Sequence, residues 1–256
     1  GYGLTLHDEL RSLDVASAFT DETTLLAAHV IPEEYVNNPD GYVDLIIKEI
    51  IPASSAKWID VFCDAGAFSP EQTRAILLAG KGAGMLPRIH ANQLSRTTAV
   101  ALAIELGAAS ADHLSASSDA DIEALAASTT VATLLPGAEF STQHEGKLGR
   151  RFLDAHAQVA IATDCNPGSS FTTSMPFCIA AAVSLLGFTV EEAVHAATSG
   201  GAAALRRSDI GNLAIGSRAD IAILKSPSYI HLAYRPGAAL VETTLKAGRK
   251  VKTWQK

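Results

Sequence analysis

Gln158-Val159-Ala160-Ile161-Ala162-Thr163-Asp164-Cys165-Asn166-Pro167-Gly168-Ser169 reads as an apolar strand that runs into an acid and then a turn. A carboxylate at the carboxyl end of a buried parallel strand stands where α/β barrels gather their reactive groups. Working back towards the amino terminus, the same figure recurs. Leu86-Pro87-Arg88-Ile89 leads into His90, and Ala111-Asp112 leads into His113. Six strand candidates emerge in all: Thr24–His29, Trp58–Cys63, Met85–His90, Ala109–His113, Val131–Leu135 and Val159–Asp164. Amphipathic helices separate them, and the alternation predicts a parallel sheet. Ser69-Pro70-Glu71-Gln72 and Thr189-Val190-Glu191-Glu192 are capping-box helix starts, and Thr5-Leu6-His7-Asp8 is a looser version. Six strands fit an open doubly wound sheet as well as an eight-stranded barrel short of two.

Beyond about Leu205 the rhythm changes. Gly211–Leu224 reads as a turn, a short strand, a tight turn and another strand. Leu240–Leu245, Ala247-Gly248-Arg249 and Lys250–Thr253 read as a terminal hairpin. The expected division is therefore an α/β part over residues 1–204 and a β-rich part over 205–256.

Composition sets limits. The chain has 256 residues, 48% of them hydrophobic and 18% charged, enough for one sizeable core and a small second domain. A net charge of −7 argues against general binding to nucleic acid. Cys63, Cys165 and Cys178 form no CxxC pair, so a reducing, cytoplasmic setting is expected. The longest apolar run, Met175 to Phe188, is too short to cross a bilayer comfortably and reads as a buried helix, so no membrane partner is expected. The chain starts at Gly1 without a Met, as the latter part of a longer protein would.

His90, His113 and Asp164 carry the nitrogen and oxygen donors that a catalytic zinc or similar ion prefers. Each alone could be a polar strand-end residue bonded to a loop. Three at the same end of different strands point to a common centre.

The pattern resembles the metal-dependent amidohydrolases, which place a His-x-His pair on barrel strand one, histidines on strands five and six and an Asp on strand eight. Counting back from Asp164 puts His113 on strand six and His90 on strand five. Strands one and two would then precede Gly1, and no His-x-His occurs in the sequence. The resemblance thus implies a (β/α)8 TIM-type barrel lacking its first two strands, plus part of a small β-sandwich. The stretch Gly211 to Asp220 resembles the returning strand pair of that sandwich.

Several segments resemble the imidazolonepropionase family more specifically. They are Gly1–Leu6, Ala28–Tyr35, Asp60–Cys63, His90–Ser95, Ser110–Leu114 and Ala162–Ser170. The resemblance implies hydrolysis of the cyclic amide 4-imidazolone-5-propanoate to N-formimidoyl-L-glutamate, with one zinc or iron ion and a metal-bound hydroxide. It implies His90 and Asp164 as metal ligands, and Asp164 also as proton acceptor. It implies His113 near the attacked carbonyl, polarising the oxygen or shuttling a proton. It implies that Gln93 holds the ring and that Tyr2, His29, Asn166, Gly168 and Ser169 contact substrate. His7, His144, His156, His195 and His231 read as structural or exposed. A homodimer follows by family analogy only. Two other readings stay open here: another amidohydrolase acting on a different ring, and a catalytically incomplete chain.

Overall fold

The structure, a computed structural model, describes residues 2–143 and 148–251. Gly1, His144, Lys252 and Thr253, which figure in the expectations above, lie outside the described residues.

Six strands form one sheet in sequence order: β1 (Thr24–Ala28), β2 (Trp58–Cys63), β3 (Leu86–Ala91), β4 (Ser110–His113), β5 (Val131–Leu134) and β6 (Val159–Ile161). β1 to β4 pair in parallel, with no exchange of neighbours and a helix in every crossover. Consecutive parallel strands joined by right-sized helical crossovers are the repeating unit of a (β/α) barrel. The open doubly wound alternative requires a strand order that reverses, and this order does not.

By compactness the chain divides into residues 1–132 and 133–256. In the first unit, alternation along β2 puts Trp58, Asp60 and Phe62 on one face and Ile59, Val61 and Cys63 on the other. Ile59 packs against the helix Pro70–Gly82, where a side chain at Gly80 would run into the Ile59 methyls. That helix begins with the expected box. Ser69 accepts from the Gln72 amide, and the Gln72 side chain accepts from the Ser69 amide. The first helix, Leu6–Ser17, starts at Thr5 as anticipated. Tyr42 is fully buried, and its hydroxyl donates to the carbonyls of Leu4 and Ala27, so burying the phenol leaves no polar atom stranded.

In the second unit, the apolar run from Met175 forms a helix over Met175–Leu185, and Thr189 caps the next through its box with Glu192. No helix among the described residues is long and apolar enough to cross a membrane. β7 (Ile221–Leu224), β8 (Val241–Lys246) and β9 (Arg249–Lys250) form an antiparallel sheet. The terminal hairpin is present, its turn made by Ala247 and Gly248 at φ 50° and 76°. Two positive φ values in a row are what a tight hairpin turn of matching twist requires.

Two expectations change. Leu213 to Ile215 is not a strand: Leu213 is 82% exposed and Ile215 wholly so, leaving no face to bury. The partner of β7 is β8, far along the chain. β6 also ends at Ile161, three residues before Asp164, because the chain turns into the left-handed region at Asp164 (φ 48°).

Candidate metal centre

The first unit brings together three histidines that are 61 and 23 residues apart in sequence. His90 lies near the end of β3, and its register partners are Phe62 on β2 and Asp112 on β4. His113 is the last residue of β4, with only 4% of its surface exposed. The two imidazole rings are 5.1 Å apart, tilted by 45°. His29 follows β1, with its ring 6.2 Å from that of His90 and stacked on Phe62 at 5.6 Å. Tyr2 closes the group, 5.0 Å from His29 and 57% exposed. Neighbouring parallel strands bring their ends to one rim, which is why residues so distant in sequence meet.

The electrostatics favour neutral imidazole. Burial holds His113 well below the ordinary histidine pKa, and the neighbouring His90 and His29 further disfavour a charge on it. Burial lowers His29 to about 4, helped by His90. A neutral ring keeps a lone pair, which is the form a metal ion binds. Nδ1 of His29 is buried without a hydrogen-bond partner among the described residues, as expected of an atom reserved for water or a ligand.

Beneath His90 lie two carboxyl groups. Nδ1 of His90 is 3.1 Å from Oδ1 of Asp60, and the two side chains are 14% and 6% exposed. Asp60, His90 and Asp112 offer donor atoms within 4.8 Å of one another. Burial first, and then the charge of Asp60, raise the Asp112 carboxyl to about 6. Arg88 pairs with Asp60 across the strands and bears on Asp112, and a fixed cation there opposes a second one. The rim of histidines therefore suits an ion better than the acid pair below.

The loop after β3 is built to hold a shape. Asn92 stands at φ 49° with no exposed surface, and its Oδ1 accepts from the Thr97 amide at 3.0 Å and the Thr97 hydroxyl at 2.8 Å. Asp64, just past β2, accepts from the amides of Leu94 (2.8 Å) and Ala65 (2.7 Å) and from the Ser95 hydroxyl. Half-buried Gln93 sits between these two anchors.

In the second unit, Asp164 opens the turn. Asn166 Nδ2 donates to the Asp164 carbonyl (2.6 Å) and carboxylate (3.1 Å). Asn166 Oδ1 accepts from the amides of Gly168 (2.8 Å) and Ser169 (2.7 Å). The buried Ser170 hydroxyl donates to the Thr163 carbonyl. Asn166 and Ser169 are thus bonded into the turn that presents Asp164. Cys165 beside them is exposed, and burial pushes the Cys178 thiol up to about 11, where it is no nucleophile.

Positive φ at non-glycine residues marks Asn92, His113 (75°), Leu114 (65°) and Asp164. Each costs on the order of 1–3 kcal/mol and persists where surrounding structure enforces it. His7 and His195 are exposed in helices, His156 is exposed in a loop, and His231 starts a short helix. Sequence reading missed Asp60, Asp64, Asn92 and Asp112. The signal for Asp60 was available: an acid between two aromatics at strand period two, on the strand next to that of His90.

A model of the amidohydrolase family matches residues 64–251. Imidazolonepropionase from Streptomyces avermitilis is 58% identical over 254 residues, covering 98% of this chain and 61% of that protein. The imidazolonepropionase of Mycolicibacterium smegmatis is also 58% identical, over 100% of this chain and 64% of its own length. The chain thus spans somewhat less than two thirds of the length of these relatives. Among solved structures, a triazine hydrolase variant aligns with TM-score 0.69 at 16% identity, covering 92% of this chain and 62% of that one. A zinc-bound adenosine deaminase from Xanthomonas campestris aligns at 0.66 and 17%, covering 87% and 59%. Such likenesses fix the fold as that of an amidohydrolase barrel, and with the matched family model they place the chain: it belongs to the amidohydrolase family.

Proposed function

We propose that this chain carries the carboxyl-terminal catalytic elements of an imidazolonepropionase, which opens the cyclic amide of 4-imidazolone-5-propanoate to give N-formimidoyl-L-glutamate in histidine degradation. The observation that carries the reading is the pair of imidazoles of His90 and His113, 5.1 Å apart at neighbouring strand ends with His113 buried. High identity to imidazolonepropionases along nearly the whole chain supports this choice of substrate.

In this reading His90 and Asp164 are ligands of one zinc or iron ion, with His113 beside it. The donor set of imidazole nitrogen and carboxylate oxygen fits either metal. A bound ion would supply a Lewis acid and bring the pKa of a water molecule down towards about 7. The remaining chemistry belongs to the chain. Asp164 accepts the proton of the attacking water. His113, neutral and nearly enclosed, gives a hydrogen bond to the carbonyl oxygen where negative charge develops. The carbon–nitrogen bond then breaks, and the departing ring nitrogen takes the proton that Asp164 accepted from the water. Gln93 can donate to a ring carbonyl and accept from a ring N–H, holding the plane of the substrate. Tyr2 and His29 border the same rim, and the turn of Asn166, Gly168 and Ser169 meets the opened product.

Residues 1–204 are read as barrel and 205–256 as part of the small β domain. The enzyme is read as a cytoplasmic homodimer. The test is turnover of 4-imidazolone-5-propanoate by the intact enzyme, with His90→Ala and Asp164→Ala each expected to abolish it. Near-normal turnover by either variant contradicts the assignment.

A further inference from the structure

His90 has two ring nitrogens, and an ion can take only the one without a proton. What decides which nitrogen that is lies beneath the ring. Nδ1 stands 3.1 Å from a carboxylate oxygen of Asp60, with both side chains largely shielded from water. A carboxylate only accepts hydrogen bonds, so the nitrogen facing it must be the donor. The contact is held rigidly from both sides. Asp60 is the third residue of β2 and His90 the fifth of β3, and the two strands pair without a break from Trp58–Leu86 to Cys63–Ala91. Phe62 lies 5.8 Å from the His90 ring and His113 5.1 Å, so the imidazole has little freedom to turn over. Arg88 is the register partner of Asp60, and its guanidinium stacks 3.9 Å over the fully buried Trp58.

We propose that Asp60 is a positioning residue that locks His90 in the tautomer with its proton on Nδ1, so that Nε2 carries the lone pair offered to the catalytic ion. The assignment of the ion to His90 rests on the function proposed above; the tautomer itself does not. Partners of this kind orient a metal-binding histidine and raise its basicity, and losing one typically costs 10- to 100-fold in metal affinity.

The test uses protein with 15N-labelled histidine, freed of metal by chelation, with the His90 signals identified by their loss in His90→Gln. Long-range proton–nitrogen spectra report which ring nitrogen bears the proton. The expected result is a protonated Nδ1 and an unprotonated Nε2. Asp60→Leu, which has no acceptor, should release His90 towards the Nε2–H form and weaken zinc binding about 10- to 100-fold in competition with a chromophoric chelator. Asp60→Glu, which keeps the acceptor, should recover part of both. An Nε2–H tautomer in the unaltered protein overturns the proposal, as does undiminished zinc affinity in a folded Asp60→Leu. If Asp60→Leu does not fold, the spectrum of the unaltered protein and the Asp60→Glu affinity decide. A protein that shows the Nδ1–H tautomer yet takes up no zinc refutes the metal reading and leaves the tautomer assignment standing. A merely structural Asp60 would change melting behaviour without moving the ring proton.

Discussion

Asp64→Asn tests how the substrate loop is held. The substitution conserves shape and removes one acceptor. In the structure three donors converge on two oxygens: the Leu94 amide on Oδ2, and the Ala65 amide with the Ser95 hydroxyl on Oδ1. An asparagine has one oxygen and one amino group. If its oxygen takes the Oδ1 place, the amino group meets the Leu94 N–H. If it is turned over, the amino group meets the Ala65 N–H, and only the serine hydroxyl can reverse its role. Either way one backbone donor faces another, beside a residue that is 4% exposed. A hydrogen bond to a charged group contributes about 1.5–3 kcal/mol, and an unsatisfied buried donor costs about 1–3 kcal/mol. Water reaches the Leu94 side of the loop, since Leu94 itself is 67% exposed, so the lower half of the sum applies, about 2.5–4 kcal/mol. Urea denaturation should show a lower midpoint, and hydrogen exchange should quicken at the Leu94 amide first. Because Gln93 adjoins the released residue, KM for substrate should rise more than kcat falls. A stability change under about 0.5 kcal/mol, with Leu94 protection intact, refutes the reasoning.

Other outcomes follow from the same structure. His29 has its folded pKa depressed from 6.5 to about 4, so the unfolded chain binds a proton at higher pH than the folded one. Stability tied to His29 is complete above about pH 6.5 and drains away as pH falls towards 4. With allowance for solvent screening of a half-buried ring, the loss in metal-free protein is about 2 kcal/mol. His29→Gln should flatten that slope in denaturation measured across the window, and an equally steep slope in the variant contradicts the assignment. Gly200→Ala should destabilise the second unit by about 2–4 kcal/mol, because a methyl there collides with the backbone carbonyl of Val159 on β6. A melting temperature within a degree or so of the parent would show that the helix and strand can separate at little cost.

The sheet was legible because its strands are short apolar runs between capped helices, a pattern set by local chemistry. Thr5, Ser69 and Thr189 announce their helices through hydroxyls that take the first free amides. The edges were less legible. β6 stops at Ile161 because the backbone reverses hand at Asp164, and apolar periodicity carries no sign of φ. Leu213 and Ile215 look like a strand by composition but have no buried face in the structure. At the site, His90 and His113 stood out as strand-end histidines, and the strand count placed them. Asp60 and Asp112 did not, since their role depends on register: Phe62, His90 and Asp112 align only once β2, β3 and β4 are paired. Asp64 and Asn92 act through backbone amides of a loop, contacts that leave no periodic trace in sequence.

In the proposed function His90 and Asp164 hold one ion with His113 alongside. Anomalous diffraction at the zinc absorption edge, from crystals of the zinc-loaded protein, locates that ion. A single strong peak is expected about 2.0–2.2 Å from Nε2 of His90 and from a carboxylate oxygen of Asp164. A peak bonded to Asp60 and Asp112 instead, or zinc bound only at surface residues away from all three, would contradict it.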